Sequence, residues 1–149
     1  MTTENEIQLI GLVVNCGLFF QREINKAFLP FGLNYQQFCV FNEIIRNGPL
    51  SQREVCERLL FEKSNTSKII KILLGKNLIQ MTSDIIDRRL TLLSETPEGF
   101  SLWKDLIKVF HEFTSRFSSV YEKEDIALTT RNLKKLQKTA LKKSFLKKG

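Results

Sequence analysis

Apolar positions recur at three- and four-residue steps along most of the chain. Ile7, Ile10, Val14, Gly17, Leu18, Gln21, Ile24 and Phe28 trace one such stripe, which predicts a long first helix broken by Pro30 and Gly32. Asn34, with Gln37 in capping-box position, opens a second helix that runs to about Asn47, where Gly48-Pro49 stops it. Ser51-Gln52-Arg53-Glu54 is a full S-x-x-E capping box, and Val55, Leu59 and Leu60 give the short third helix a buried stripe. After a turn around Phe61-Glu62-Lys63, a fourth helix passes through Ser64, Ile69, Ile72 and Leu73. Asn77 suits the left-handed residue that follows it.

The period then changes. Ile79-Gln80-Met81-Thr82 and Leu90-Thr91-Leu92-Leu93 alternate or are β-branched, and the polar stretch Ser83 to Arg89 joins them, which predicts a two-stranded hairpin. Thr96-Pro97-Glu98 supplies a capping hydroxyl, a first-turn proline and a first-turn acid for a fifth helix. Its stripe is Phe100, Trp103, Ile107, Phe110, Phe113 or Thr114, and Phe117. A last helix from about Lys123 carries Ile126, Leu133, Leu136 and Ala140. The predicted order is α-α-α-α-β-β-α-α, a mainly α (α+β) chain.

At 149 residues with 42% hydrophobic and 26% charged residues, one folded domain is expected. The longest apolar run, Ile10 to Phe20, is broken by Asn15 and falls short of the ~18 residues of a membrane span. The start, Met1 to Glu6, is acidic where a signal peptide would be basic, and three cysteines lie outside any CxxC spacing. The expectation is a cytoplasmic protein with reduced thiols and no membrane partner. His111 is the single histidine, so neither a multi-histidine metal site nor a nucleophile–base–orienter set is expected. Nor is there a cofactor-binding loop, and the chain reads as a non-enzyme.

The charge is +7 overall but uneven: net −2 over residues 1 to 45, +3 over 46 to 95, balanced over 96 to 121 and +6 over 122 to 149. Such a surplus favours polyanions through counterion release, or simply solvates the surface. What changes the picture is where the lysines fall. The stretch Lys63 to Lys76 holds four lysines and no acid, with Thr66, Ile69, Ile70 and Leu73 on one face. Ser64, Asn65, Ser67, Lys68 and Lys71 fall on the other.

A short capped helix, a tight turn, a second helix and a hairpin is the order of a winged helix-turn-helix. A helix of ~10–12 Å diameter fills a major groove of about 12 Å, and short polar and basic side chains read base edges there. The hairpin tip, Asp84 to Arg89, places Arg88 and Arg89 where a wing meets the adjacent minor groove. An internal pairing of an arginine with Asp87 or Glu62 is compatible with that role. The other use of such a body is as a protein-interaction module whose basic surface is incidental, and the net acidic first 45 residues leave room for it.

From Asn34 to Phe100 the chain resembles the MarR (multiple antibiotic resistance regulator) family of winged-helix transcription regulators. The matching blocks are Gly48-Pro49-Leu50-Ser51-Gln52-Arg53-Glu54, Lys63-Ser64-Asn65-Thr66-Ser67-Lys68, Asp87-Arg88-Arg89 and Leu93-Ser94-Glu95-Thr96-Pro97-Glu98-Gly99, in order and at matching spacing. The resemblance implies a single domain over 1-149, with a winged-helix core at 34-96 and dimerisation arms at 1-31 and 97-149. It further implies a homodimer on a pseudo-palindromic operator in double-stranded DNA, acting as a repressor. Many members release DNA when a small phenolic or other aromatic effector enters the cleft between arms and reading head, and others respond to cysteine oxidation. The DNA-binding residues implied are Ser51, Arg53, Ser64, Asn65, Ser67, Lys68, Lys71, Arg88 and Arg89, with Glu62 and Asp87 orienting the wing. The apolar stripes Ile7 to Phe28 and Phe100 to Phe117 suit a dimer interface independently, being too long to bury inside one small body.

The chain departs from the family pattern in three places: Leu60 and Asn77 replace glycines, and Glu62 replaces an aspartate. Cys16 lies on the expected dimer helix, without a basic neighbour in sequence to activate it, and reads as a packed thiol or a redox sensor. Cys39 and Cys56 read as core. The basic end, Lys134-Lys135 through Lys142-Lys143 and Lys147-Lys148, offers extra phosphate contacts or a solvated tail.

Overall fold

The computed structural model describes residues 1–142. Lys143, Lys147 and Lys148 of the basic end lie outside the described residues. The order is α1 (Glu4–Phe28), a short 3-10 helix (Leu29–Phe31), α2 (Tyr35–Asn47), α3 (Gln52–Arg58), α4 (Lys63–Gly75), β1 (Ile79–Ser83), β2 (Thr91–Glu95), α5 (Pro97–Ser118) and α6 (Lys123–Leu141). This is the mainly α winged helix-turn-helix expected, with long helices at each end.

Local chemistry sets the boundaries. Capping boxes open three helices: Thr3 with Glu6, Asn34 with Gln37, and Ser51 with Glu54, each satisfying two N–H groups that the first turn leaves without partners. Gly32 leaves the 3-10 helix at φ 70°, and Asn77 leaves α4 at φ 57°, the left-handed backbone that asparagine tolerates best after glycine. β1 and β2 pair antiparallel in the register Ile79↔Glu95 to Ser83↔Thr91. Leu50, just before α3, adds a bridge to the hairpin by exchanging backbone bonds with Leu93 at 3.0 and 2.7 Å. The hairpin is thereby fixed to the body by its inner strand.

The core fills the space between α2, α3, α4 and the hairpin with Val40, Phe41, Ile44, Val55, Ile70, Leu73, Ile79 and Leu93, all at most 2% exposed. α1 and α5 join it through an aromatic cluster. Phe28 from α1, Phe38 from α2 and Phe110 from α5 meet with ring centroids 4.9 to 6.5 Å apart, and Leu106 is fully buried beside this core. Trp103 donates from Nε1 to Asn42 Oδ1 at 3.0 Å, tying α5 to α2.

Away from that junction the arms leave apolar surface open. Only Ile24 and Phe28 of α1 are buried, while Ile7, Leu9, Ile10, Leu12, Val14 and Leu18 are each more than half exposed. α6 buries none of its residues, although Ile126, Leu128, Leu133 and Leu136 lie along it. By length and composition α1 is also apolar enough to cross a membrane, which a count of uninterrupted apolar residues overlooked because Asn15 and Gln21 interrupt the run.

Candidate nucleic-acid interface

α4 is built to present one face. Thr66, Ile69, Ile70 and Leu73 are buried against the core, and the turn between α3 and α4 leaves Ser64, Lys68 and Lys71 exposed on the other side. Thr66 reconciles its buried hydroxyl with the apolar face by donating to the Glu62 carbonyl at 3.3 Å. Among the described residues no side-chain polar atom is left buried without a partner.

Two polar clips hold α4 to its neighbours. Asn65 donates from its amide to Gln36 Oε1 on α2 at 3.0 Å. Gln52 at the start of α3 donates to Ser67 Oγ at 2.7 Å, while Ser67 donates to the Lys63 carbonyl at 3.0 Å. Both residues therefore lie on the expected outward face, half-buried, with polar atoms already engaged. Gln36 and Gln52 carry no motif of their own, and the sequence reading missed them.

The candidates around α3 divide. Ser51 is 9% exposed, and its hydroxyl works inside the capping box, accepting from the Glu54 N–H at 3.2 Å and donating to the Glu54 carboxylate at 2.9 Å. Arg53 is exposed and pairs with Glu57 at 2.9 Å one helical turn on, which raises its pKa. The Ser51 backbone N–H and hydroxyl hold the Glu54 carboxyl below its ordinary value.

At the hairpin tip, Asp84 Oδ1 accepts from the Ile86 and Asp87 N–H groups at 2.6 and 3.2 Å. Leu90 N–H donates to the Asp87 carbonyl at 2.9 Å. Asp87 Oδ1 takes the Arg89 backbone N–H at 3.1 Å and its guanidinium Nε at 3.2 Å. The Arg89 side chain is still 92% exposed, so the acid aims it outward without covering it. Arg88 is exposed beside it. Glu62 is the N-terminal flanking residue of α4, without a side-chain capping bond, and the acid that meets Arg89 is Asp87.

The hairpin is locked to α4 by Thr96. Its hydroxyl donates to the Asn77 carbonyl at 2.6 Å and accepts from the Gly99 N–H at 3.0 Å, and its own N–H donates to the Leu78 carbonyl at 3.1 Å. A Cβ on Gly99 would stand 1.9 Å from the Leu78 carbonyl oxygen, so only glycine lets α5 begin this close to the end of α4. The block Leu93 to Gly99 is thus the joint between α4, the hairpin and α5.

The other singled-out residues lie away from this face. His111 is exposed on α5, and Cys16 is exposed on α1. Cys56 is buried, and burial pushes the Cys39 thiol up to about 11 and raises the neighbouring Tyr35 hydroxyl. Among the described residues no cluster of histidine, cysteine and carboxylate side chains could hold a metal ion.

The MarR family model matches residues 31–90, from the end of the 3-10 helix to the tip of the hairpin, short of β2. Over 134 residues the chain is 22% identical to the HTH-type transcriptional regulator MhqR of Bacillus subtilis strain 168, covering 90% of this chain and 92% of that protein. The structure of MepR of S. aureus in complex with DNA superposes with a TM-score of 0.76 at 18% identity, over 93% of this chain and 99% of that one. That of CouR from Rhodococcus jostii RHA1, bound to p-coumaroyl-CoA, gives 0.75 at 25% identity, over 88% and 91%.

Proposed function

We propose that the chain is a member of the MarR family and, on that premise, a non-enzymatic transcription regulator that binds double-stranded DNA as a homodimer and represses. The observation that carries the reading is α4 itself. Four lysines and no acid fall between Lys63 and Lys76, on a helix whose opposite face is buried, next to a hairpin that holds two exposed arginines. α4 would enter the major groove, with Ser64, Lys68 and Lys71 reaching outward, and the wing would lie on the neighbouring minor groove. Asn65 and Ser67 would read bases only after exchanging Gln36 and Gln52 for DNA. Arg53 would meet backbone phosphate, and Ser51 would act through the cap that positions α3.

Pairing follows from the arms. Leaving Ile7, Leu9, Ile10, Leu12, Val14, Leu18 and the stripe of α6 in water is unfavourable at ~25 cal/mol per Å² of apolar surface. A second copy covers both helices at once and sets two α4 helices on successive turns of the duplex, ~34 Å or a multiple apart. It also accounts for the apolar α1 without a membrane, in keeping with a protein that works on cytoplasmic DNA.

For the effector we propose a small aromatic compound, as CouR was solved with p-coumaroyl-CoA. The open groove beside Leu18, Gln21, Arg22, Asn25, Lys26 and Leu29 on α1 offers apolar wall and positive charge for a phenolate or carboxylate. The test is selection of bound duplexes from a random pool, followed by a screen for aromatic compounds that release them. Enrichment of an inverted repeat supports the reading. No enrichment, with co-purification of a protein partner, would replace it with an interaction module.

A further inference from the structure

Ile85 and Ile86 stand at the end of the wing, 95% and 97% exposed, the most open of the large apolar side chains after Met1 among the described residues. Such exposure is unfavourable at a site where any polar residue would serve, and the loop does nothing to hide it. Instead the backbone is fixed beneath them. Asp84 accepts both the Ile86 and the Asp87 N–H, and the Asp84 N–H donates to the Leu90 carbonyl at 2.9 Å, closing the neck of the loop. Both side chains are β-branched and stiff, so little rotamer freedom is lost when they are buried in a partner.

The surrounding charge says what that partner is. Asp84 is turned onto backbone N–H groups and the half-exposed Asp87 is held by Arg89, while Arg88 and the 92%-exposed Arg89 face out. An apolar point flanked by two outward guanidiniums is complementary to a groove with phosphate rims and base steps that can be opened. Apolar side chains of this kind enter the minor groove between base steps, and pyrimidine–purine steps open most readily.

We propose that Ile85 and Ile86 form an apolar wedge that enters the DNA minor groove and partly unstacks a pyrimidine–purine step beside the site read by α4. The wedge rests on the DNA-binding reading above and adds a source of sequence preference that makes no base hydrogen bond.

The experiment uses full-length protein and the duplex recovered by selection, with 2-aminopurine placed at steps under the wing as located by hydroxyl-radical footprinting. Wild-type protein is expected to brighten 2-aminopurine at one step, and its selected pool to be enriched in pyrimidine–purine at that position. I85S/I86S should bind about ten-fold or more weakly with an unchanged salt slope, because apolar insertion releases no counterions, and should lose both the brightening and the enrichment. I85V/I86V should restore them. R88A, by contrast, should flatten the salt slope. Wild-type affinity, brightening and enrichment in I85S/I86S would overturn the wedge, as would weakened binding of a protein partner with DNA binding intact. Failure of wild-type protein to select any duplex would instead sink the DNA-binding reading, and the wedge with it.

Discussion

Thr96 satisfies three backbone groups: the Asn77 and Leu78 carbonyls in the link from α4 to β1 and the Gly99 N–H in α5. Thr96→Val keeps the shape and removes the hydroxyl, leaving the Asn77 carbonyl and the Gly99 N–H unpaired. A loss of about 1–3 kcal/mol is expected in urea unfolding. Gly99→Ala forces a methyl onto the Leu78 carbonyl 1.9 Å away and should cost a comparable ~1–3 kcal/mol through backbone displacement. Glu54 adds a pH dependence. Its carboxyl lies below its ordinary 4.5 because of the bonds from Ser51, so the cap contributes fully above that value and is lost as pH falls through the lowered one. Unfolding midpoints followed from about pH 6 to pH 3 should fall less steeply in Glu54→Gln than in wild type. The caps at Ser51 and Thr96 were legible in the sequence because S-x-x-E and T-P-E-G bond within three positions. The bonds of Thr96 to Asn77 and Leu78 and the approach of Gly99 to Leu78 instead span 18 to 21 positions and are set by how the elements pack.

At the scale of elements, α4 and the wing divide the work of binding in the proposed complex with DNA. Lys68→Ala and Arg89→Ala should each weaken binding to the selected duplex by ~1–3 kcal/mol if they read base edges, measured by fluorescence anisotropy at fixed salt. Wild-type affinity in both would remove them from the interface. The buried and exposed faces of α4 could be assigned from periodicity, since Thr66, Ile69, Ile70 and Leu73 follow the helical repeat. The clips Asn65–Gln36 and Gln52–Ser67 could not. They join residues 29 and 15 positions apart, and which amide meets which hydroxyl is set by how the helices pack. The partner of Arg89 was open for the same reason: Glu62 and Asp87 were both plausible acids, and the tight turn at Asp87 brings the nearer one into contact.

For the whole molecule, the exposed stripes of α1 and α6 predict association. Leu12→Glu together with Leu133→Glu should give a monomer by light scattering, with a lower melting temperature and at least ten-fold weaker binding to an inverted repeat, since one half-site is then held alone. A doubly substituted protein that remains dimeric would show that the pairing surface lies elsewhere. The long helices at both ends were readable from apolar stripes longer than a small body could bury. The breadth of α1 was not, because its polar interruptions hide how apolar the full helix is.

The Thr96 joint also bears on how a signal would travel through the protein. α5 starts where α4 and the wing end, and Asn77, Leu78, Thr96 and Gly99 leave no slack between them. α5 therefore acts as the handle of a stiff key whose two teeth are the reading helix and the hairpin. In the proposed dimer, a tilt of that handle would swing both teeth together and change the span between the two copies, so the grip would be lost by misfit rather than by unravelling.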